Sequence, residues 1–363
     1  MAKHIAFFVS SFNLGGVERA FLTLANSFVE DGHKVDFIVS LNEGILKSEL
    51  DNRINIVDLK CNKLRNTFIK LYSYINKSSA DILITGPTYP NIIAVICNLI
   101  AFKKLKIVVT QHSYQDVEMD NLGLVGKLAP FFIKMTYNYA DKVVAVSHGV
   151  KNDLISTYNI SPSKIKVIYN AVINDSFFKK SNESVEGLIA KKDLPIDYLV
   201  TVGRLEIVKN YPFLLNIYAK MRNQIPNFKY DLIILGDGSE RNNLETLAKE
   251  LGIQKSVHFL GALSNPFPII KNARVLIHTS FSEAMPLVYV EALALEVPVV
   301  TTINKGAVEV LNGINQKIIV ESYDEKEFIS AVLIMLENNK FLDLPNLDKF
   351  HSDFIKESFL SLI

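Results

Sequence analysis

The sequence predicts an α/β protein built from two doubly wound domains, each a mostly parallel sheet flanked by helices. Three observations lead to this fold class. The chain has 363 residues, which is long for one domain and natural for two. Short apolar strands alternate with helical segments through both halves, as in doubly wound sheets. The composition, 49% hydrophobic and 21% charged, is that of a globular protein with an ample core.

The N-terminal half starts with an apolar strand at residues 4–9, followed by a helical pattern over 17–31. Apolar side chains recur at helical spacing on one face of that segment, and Gly32 ends it. The alternation then continues through this half, and it predicts an N-terminal domain at residues 1–180. Its further strands are predicted at 34–39, 81–84, 107–110 and 142–146.

The second half repeats the pattern after residues 179–193, which are rich in Ser, Asn, Glu and Lys and are predicted to be a linker. We expect a C-terminal domain at 194–340, and a closing helix at 341–363 that the pattern assigns to neither domain. The elements of this half are predicted at 198–202, 210–222, 230–235, 239–251, 257–259, 275–278, 287–295 and 297–301.

The charge is nearly balanced overall but differs between the halves. A formal net charge of +1 excludes the strong basic field that is typical of nucleic-acid binders. Residues 1–180 carry 21 Lys and Arg against 15 Asp and Glu, a net of +6, and the rest carries 18 against 23, a net of −5. A basic N-terminal half suits an anionic acceptor or a membrane surface. Scattered, solvated lysines explain the count equally well.

The cysteines and the apolar runs indicate the compartment. Cys61 and Cys97 lack metal-ligand spacing, so we expect buried thiols in a reducing compartment and no metal site. The apolar stretch at 5–9 is too short for the core of a signal peptide, and the run at 92–102 is too short to span a bilayer. The sequence therefore predicts a cytoplasmic protein with at most peripheral contact with the inner face of a membrane.

The segment 281–292 follows a strand and opens a helix, and it carries Glu283 and Glu291. Free backbone N–H groups and the positive end of the helix dipole suit a diphosphate. Carboxylates accept hydrogen bonds from vicinal hydroxyls, which is how a sugar or a ribose is held. Taken alone, two such glutamates are more often solvated surface charges.

Two further loops follow strands of the C-terminal half. Gly203 ends one strand, and Arg204 and Lys209 follow it as cations suited to phosphate oxygens. Gly236 and Gly238 allow a tight turn and a close approach of the backbone to a ligand, although the third glycine of a dinucleotide fingerprint is missing. An ordinary surface pair and an ordinary turn are the alternatives.

In the N-terminal half, Gly15 and Gly16 place a flexible turn before the first helix. His112 follows the strand at 107–110, where a polar group reaches the ligand-binding edge of such a sheet. A plain strand-to-helix connection and a structural histidine are the alternatives here.

Taken together, these motifs resemble the retaining glycosyltransferases of family 4, most closely those that build bacterial surface polysaccharides. The resemblance covers nearly the whole chain and implies the GT-B fold, in which two Rossmann-like domains face each other across a cleft. The motifs come in the family's order: Gly15-Gly16-x-Glu18-Arg19, Val146-Ser147, Ile168-Tyr169-Asn170-Ala171-Val172, Gly203-Arg204-x4-Lys209-Asn210, Gly236-Asp237-Gly238 and Glu283-x7-Glu291.

The resemblance also implies a role for each matching residue. Arg204 and Lys209 would neutralise the donor diphosphate and stabilise the leaving group without a metal or another cofactor. Glu283 would contact the donor sugar, and Glu291 would bind the ribose hydroxyls. His112 would contact the donor sugar near the reacting carbon, and the backbone at Met285, Leu287 and Val288 would contact the sugar and phosphates. Gly203, Gly236 and Gly238 would belong to the loops that bind the donor. Gly16 would contact the phosphates and the acceptor, and Gly15 and Asn170 would lie on the acceptor side.

The implied reaction moves a hexose or N-acetylhexosamine from a nucleotide-diphosphate sugar to a saccharide or lipid-linked saccharide, in surface polysaccharide or lipopolysaccharide synthesis. UDP is expected from its frequency in the family. Three alternatives stay open: a catalytically silent nucleotide-sugar binder, a GT-B epimerase, and an inverting transferase. A Rossmann dehydrogenase is disfavoured because no intact dinucleotide fingerprint follows either first strand.

Two segments depart from simple expectation. Glu296 stands where the family usually has a helix-ending glycine, and a positive φ there is costly for glutamate. The segment 124–139 mixes Lys127 and Lys134 with large apolar residues. It suits a membrane surface, but a buried core helix is favoured.

Overall fold

The computed structural model describes residues 2–114, 123–185, 194–314, 317–337 and 346–362. The chain forms two compact units. One comprises Met1–Val172 with Asp348–Ile363, and the other comprises Ile173–Leu347. Each contains a parallel sheet flanked by helices, so the predicted α/β class with two doubly wound sheets is confirmed.

The N-terminal unit contains the following strands and helices in chain order: β1 (His4–Val9), α1 (Gly16–Glu30), β2 (Lys34–Val39), β3 (Asn55–Asp58), α2 (Thr67–Lys77), β4 (Ile82–Thr85), α3 (Thr88–Ile100), β5 (Lys106–Gln111), α4 (Gly123–Thr136), β6 (Lys142–Ala145), α5 (His148–Tyr158), β7 (Ile165–Val167) and, from the end of the chain, α13 (Ser352–Leu360). The strand order in its sheet is β3-β2-β1-β4-β5-β6-β7. The order reverses between β1 and β4, which is where doubly wound sheets bind ligands.

The C-terminal unit contains α6 (Asp175–Ser181), β8 (Tyr198–Val202), α7 (Tyr211–Gln224), β9 (Asp231–Leu235), α8 (Arg241–Glu250), β10 (Val257–Gly261), α9 (Phe267–Lys271), β11 (Val275–His278), α10 (Leu287–Ala294), β12 (Val299–Thr302), α11 (Lys305–Val310), β13 (Lys317–Val320) and α12 (Glu325–Glu337). The strand order is β10-β9-β8-β11-β12-β13. Its switch point therefore lies between β8 and β11.

Burial explains why these segments form strands and helices. Every residue of β1 is buried, as expected for a parallel strand that is covered on both faces. Helix α1 buries its apolar stripe in the core of the N-terminal unit. The chain leaves the helix through a Schellman turn that closes at Gly32, whose φ is 82°. In that turn the N–H groups of Gly32 and His33 donate to the carbonyls of Val29 and Phe28 at 2.9 and 3.0 Å.

The structure differs from the sequence expectations at several boundaries. β3, β7 and β13 were not predicted, because they are short or weakly apolar. Residues 179–181 end α6 and are not linker, whereas 186–193 lie outside the described residues. The closing helix is shorter than predicted, and it packs on α1 of the N-terminal unit.

Helix α4 corrects the expectation of a buried core helix. Ala129 and Ile133 are buried, but Leu128, Phe131, Phe132 and Met135 are exposed. The helix therefore has apolar residues on its buried side and a large apolar surface that faces away from the core. Within the described residues, no helix combines the length and apolar character needed to cross a bilayer.

Candidate active site

The switch point of the C-terminal sheet carries the loops that follow β8 and β11. Hydrogen bonds join these two loops directly. Thr279 Oγ1 donates to the carbonyls of Lys209 and Asn210 at 3.1 and 3.0 Å, and the Phe281 N–H donates to the Val208 carbonyl at 2.9 Å. The backbone that carries Lys209 is thus fixed against the backbone that leads to Glu283.

Lys209 and Glu283 form an ion pair at this point. Lys209 Nζ donates to Glu283 Oε1 at 2.5 Å, although 74 residues separate them in the chain. The two side chains keep only 18% and 13% of their exposure. Burial by itself would raise the pKa of the Glu283 carboxyl. The attraction of Lys209, supported by His278 and Ser280, outweighs burial, and the pKa lies below its ordinary value. The carboxylate is therefore ionised at neutral pH.

His278, the last residue of β11, lies beneath this pair and was not singled out from the sequence. Its Nε2 is 3.9 Å from Glu283 Oε1, and its Nδ1 is 3.0 Å from the hydroxyl of Tyr289. That hydroxyl is in turn 2.7 Å from Thr301 Oγ1. Burial, with repulsion from Lys209, lowers the pKa of His278 to about 4. The imidazole is therefore neutral at pH 7.

Arg204 is not brought into the ion pair. Its Nη1 donates to Glu206 Oε1 at 2.8 Å, and the side chain is 64% exposed. An exposed pair of this kind contributes little stability, so the guanidinium is free to exchange Glu206 for another anion.

Gly236 and Gly238 bring the loop after β9 against the loop after β8. A Cβ on Gly236, whose φ is 144°, would lie 1.9 Å from the Gly203 carbonyl oxygen, and one on Gly238 would lie 2.4 Å from the Leu205 carbonyl oxygen. The close approach that we expected toward a ligand is, in this structure, an approach between two loops. A Cβ on Gly203 itself would lie 3.4 Å from Lys209 Cε.

The start of α10 lies directly after Glu283. Pro286 is the N-cap of this helix. Met285 is buried, while Leu287 and Val288 are half-buried. The first N–H groups of a helix lack intrahelical partners and suit an anion. Glu291 lies on this helix and is buried at 6% exposure.

Gly306, at the start of α11, holds the Glu283 backbone from the other side. Its N–H donates to the Glu283 carbonyl at 2.9 Å, and a Cβ there would lie 2.5 Å from the same oxygen. Only glycine therefore fits against this turn. In the sequence, the segment that contains Gly306 matches the family pattern only loosely, so this role was missed.

The N-terminal unit brings His112 and Asn170 together. His112 Nε2 is 2.7 Å from Thr110 Oγ1, and the imidazole packs edge-on against Phe21 with ring centroids 5.5 Å apart. Burial lowers the pKa of His112 to about 3, and a hydrogen bond with Asn170 opposes that shift. The imidazole is neutral at pH 7, and both residues line a small cavity beside α1 and α13.

Gly15 and Gly16 start α1 at the switch point of the N-terminal sheet. Gly15 is the N-cap in an extended conformation, and Gly16 is the first helical residue. A Cβ on Gly15 would lie 2.1 Å from Glu18 Oε2. The Glu18 carboxylate therefore folds back over the N-terminus of the helix, where the dipole favours an anion.

The two parallel, doubly wound sheets are those of the GT-B fold, which solved glycosyltransferase structures share over nearly their whole length. The family model described as Glycosyltransferase Family 4 matches residues 14–175, and the one described as Glycosyl transferases group 1 matches residues 189–351. Together they span most of the chain, which belongs to the family 4 type of glycosyltransferases.

Relatives and solved structures agree with this assignment. From Campylobacter jejuni, an N-acetylgalactosamine-N,N'-diacetylbacillosaminyl-diphospho-undecaprenol 4-alpha-N-acetylgalactosaminyltransferase is 26% identical, covering 93% of this chain and 91% of the relative. A second transferase from C. jejuni, named for GalNAc-alpha-(1->4)-GalNAc-alpha-(1->3)-diNAcBac-PP-undecaprenol, is 26% identical and covers 99% and 98%. A crystal structure of Anabaena HepE with UDP and glucose superimposes with a TM-score of 0.74 at 17% identity, covering 98% of both chains.

Proposed function

We propose that this protein is a retaining transferase that moves a hexose or N-acetylhexosamine from a UDP-sugar to a lipid-linked saccharide. The Lys209–Glu283 pair carries the proposal, because a cation for a diphosphate and a carboxylate for sugar hydroxyls stand side by side at a switch point. The printed names of the relatives support the acceptor class, since two of them act on saccharides linked to diphospho-undecaprenol. The HepE complex with UDP and glucose supports the donor class.

Donor binding would exchange the partners of the ion pair. The diphosphate takes the Lys209 ammonium, and the exposed Arg204 leaves Glu206 to join it. Glu283, whose backbone carbonyl accepts the Gly306 N–H, accepts hydrogen bonds from donor-sugar hydroxyls. Glu291 on α10 binds the ribose hydroxyls, and the N–H groups near Met285, Leu287 and Val288 meet the phosphate and sugar.

The chemical step would then be front-face substitution. The acceptor oxygen attacks the anomeric carbon, the bond between that carbon and the diphosphate oxygen breaks, and the acceptor proton passes to a diphosphate oxygen. The main electrostatic task is to stabilise the departing diphosphate, and Lys209 with Arg204 supplies two positive charges for it. We therefore propose that transfer needs no metal. His112, neutral at pH 7, contacts the donor sugar, while Gly15, Gly16 and Asn170 line the acceptor side.

We also propose that the N-terminal unit contacts the inner face of an anionic membrane. Helices α3 and α4 pack together, and both carry exposed apolar residues. Lys134 on α4 and Lys103 and Lys104 after α3 flank this surface, and all three are exposed. In peripheral membrane helices, aromatic and aliphatic side chains typically enter the membrane–water interface, while lysines contact the anionic lipid headgroups. The surface comprises Leu99, Ile100, Phe102, Leu128, Phe131, Phe132 and Met135.

A transfer assay tests the reaction. The purified protein is incubated with a panel of UDP-sugars and a polyprenyl-diphosphate-linked saccharide, with and without EDTA, and the anomeric coupling constant of the product is measured by NMR. We expect an α-linked product from an α-linked donor, unchanged by EDTA. Lys209→Met and Glu283→Gln should each lower kcat by about 10²–10³-fold. The control is Lys220→Met, which removes a more exposed ion pair with Glu325 in the same unit.

Each outcome decides one part of the proposal. Inversion at the anomeric carbon would exclude the front-face route, and loss of activity in EDTA would exclude metal independence. Near-normal kcat in Lys209→Met would remove the site assignment, and an epimerised nucleotide sugar would indicate the epimerase alternative. Nucleotide-sugar binding without turnover on any acceptor would favour the silent binder.

A vesicle experiment tests the membrane contact. Phe131→Glu should weaken sedimentation with phosphatidylglycerol-containing vesicles by about tenfold, since it places a charge in the apolar surface. Ile196→Glu is the control, because Ile196 is 92% exposed but belongs to the C-terminal unit. Equal binding by the two variants would contradict this contact.

A further inference from the structure

His278 is a buried polar side chain with one ring nitrogen left over. It is 2% exposed, and among the described residues Nε2 has no hydrogen-bond partner of good geometry. Glu283 Oε1 lies 3.9 Å from this nitrogen, and the ring also lies near the Val202 carbonyl at the end of β8. An unpartnered polar atom at such a depth is rare, so its orientation calls for an explanation.

The surroundings decide which nitrogen carries the proton. Tyr289 Oη forms hydrogen bonds with the side chains of Thr301 and Asn304 and lies 3.0 Å from His278 Nδ1. Thr301 Oγ1 donates to the Thr302 carbonyl at 3.1 Å, so the Tyr289 proton has two acceptors within reach, Thr301 Oγ1 and His278 Nδ1. With Nδ1 accepting, the proton of the neutral imidazole lies on Nε2.

The same tautomer follows from the other side of the ring. Nε2 lies 3.9 Å from the Glu283 carboxylate, which only accepts hydrogen bonds. An unprotonated Nε2 would turn a lone pair toward that negative charge in a buried place, which is unfavourable. Burial, together with repulsion from the Lys209 ammonium, lowers the pKa of His278 and keeps the ring neutral.

We infer that His278 positions Glu283 during transfer: its Nε2–H donates to the Glu283 carboxylate once Lys209 turns from Glu283 to the donor diphosphate. This inference rests on the proposed function. In the free protein, Lys209 holds Oε1 at 2.5 Å, and His278 stands 3.9 Å from the same oxygen. When the donor takes Lys209, the buried Glu283 carboxylate would lose the cation that now pairs with it. His278 supplies the replacement donor from a fixed direction, so Glu283 keeps its orientation toward the sugar.

The first test reads the tautomer without any turnover. Two-bond ¹H–¹⁵N correlation spectra of ¹⁵N-histidine-labelled protein at pH 7 distinguish Nε2–H from Nδ1–H. The chain has 7 histidines, and His278 is assigned by its absence from the spectrum of His278→Gln. We expect the Nε2–H form, with an Nε2 resonance that shifts in Glu283→Gln. An Nδ1–H form, a charged ring, or an Nε2 resonance insensitive to Glu283→Gln would overturn the inference.

The second test separates positioning from folding. His278→Phe keeps the ring volume and removes the donor, so kcat should fall by about 10–100-fold, with donor KM within about threefold of wild type. His278→Gln, whose amide N–H reaches about as far as Nε2, should recover most of kcat. A purely structural role would instead lower activity in step with the unfolding temperature in both variants.

Tyr289→Phe tests the contribution of the hydroxyl that bonds to Nδ1. This variant should also lower kcat, but by a smaller factor than His278→Phe does. Tyr218→Phe is the matched control, because Tyr218 is equally buried and donates to the carbonyls of Tyr230 and Ser256 at 3.1 and 3.0 Å. Wild-type kcat in His278→Phe, or equal effects of Tyr289→Phe and Tyr218→Phe, would overturn the inference. If the wild-type protein transfers no sugar, the proposed function fails, and the tautomer spectra still decide the contact.

Discussion

Replacing Lys209 by methionine removes one charge from a pair that is nearly excluded from water. The stem of the side chain keeps its packing, while the Glu283 carboxylate loses the cation 2.5 Å away. Removing one member of a buried pair costs about 3–5 kcal/mol, because the remaining charge is uncompensated. The residual exposures of 18% and 13% favour the lower end of that range. We therefore expect Lys209→Met to lower the free energy of unfolding of the C-terminal unit by about 3 kcal/mol.

The assay is thermal unfolding followed by circular dichroism. For a unit of this size, Ile173–Leu347, one kcal/mol shifts Tm by about 2–4 °C. Lys209→Met should thus lower the Tm of the C-terminal unit by about 6–12 °C. The double variant Lys209→Met/Glu283→Gln removes both charges and should regain at least half of the loss. Lys220→Met, which breaks a more exposed pair, should cost no more than about 1 kcal/mol.

The pH dependence gives the sign of the same effect. In the wild-type protein the pKa of Glu283 lies below its ordinary value. Its contribution to stability is therefore present above the unfolded pKa of about 4.3 and is lost as pH falls through the folded pKa. Without Lys209, burial dominates and the carboxyl takes up a proton at higher pH. The Tm deficit of Lys209→Met should accordingly narrow between pH 7 and pH 5. A deficit under 2 °C at pH 7, or one that grows on acidification, would refute this reasoning.

Three further predictions concern the fold and are measured by urea denaturation. Glu296→Gly should raise the free energy of unfolding by up to about 1 kcal/mol, because a φ of 62° costs a non-glycine residue about 1–2 kcal/mol and the greater chain entropy of unfolded glycine offsets part of this gain. A lower free energy of unfolding in this variant would contradict the prediction. Gly238→Ala should lower the free energy of unfolding by about 1–3 kcal/mol, since the new Cβ would lie 2.4 Å from a backbone oxygen. Gly252→Ala is the control: its Cβ would meet open space, and only its φ of 71° should lower the free energy of unfolding, by about 1 kcal/mol. Asp36→Asn should lower the free energy of unfolding by about 1–3 kcal/mol at pH 7. Burial opposes ionisation of Asp36, but hydrogen bonds from Tyr74, Asn55 and His4 hold its pKa below the ordinary value, so the loss should shrink as pH falls below about 4. A loss that does not depend on pH would exclude the ionised form.

The sequence predicts those parts of the site that depend on where strands end. Lys209 and Glu283 each follow an apolar strand, and parallel strands bring their carboxyl ends to one edge of a sheet. The two residues were therefore expected at one site, and the structure joins them at 2.5 Å. Helical spacing likewise identifies α1 to within one residue.

What the sequence does not predict depends on neighbours that are distant in the chain. His278 is the last residue of an apolar strand, and only its contacts with Glu283 and Tyr289 distinguish it from a core residue. Arg204 stands five residues from Lys209, yet it bonds to Glu206 because its loop directs it to solvent. The exposed apolar face of α4 could not be predicted either, since composition alone does not distinguish a helix with an apolar outer face from a buried one.

Glu296 shows how the fold imposes a conformation that the residue itself does not favour. Helix α10 ends in the same Schellman turn as α1, with the N–H groups of Glu296 and Val297 donating to Leu293 and Ala292 at 3.1 and 2.8 Å. At the end of α1 the left-handed position is Gly32, and here it is a glutamate with φ of 62°. The turn must close there because the Pro298 carbonyl accepts from the Leu276 N–H at 2.8 Å, and this bond sets the register of β12 against β11. That register places Thr301 opposite His278, and thus within reach of Tyr289. The strain at Glu296 is therefore a consequence of the strand alignment on which the contacts beneath Glu283 depend.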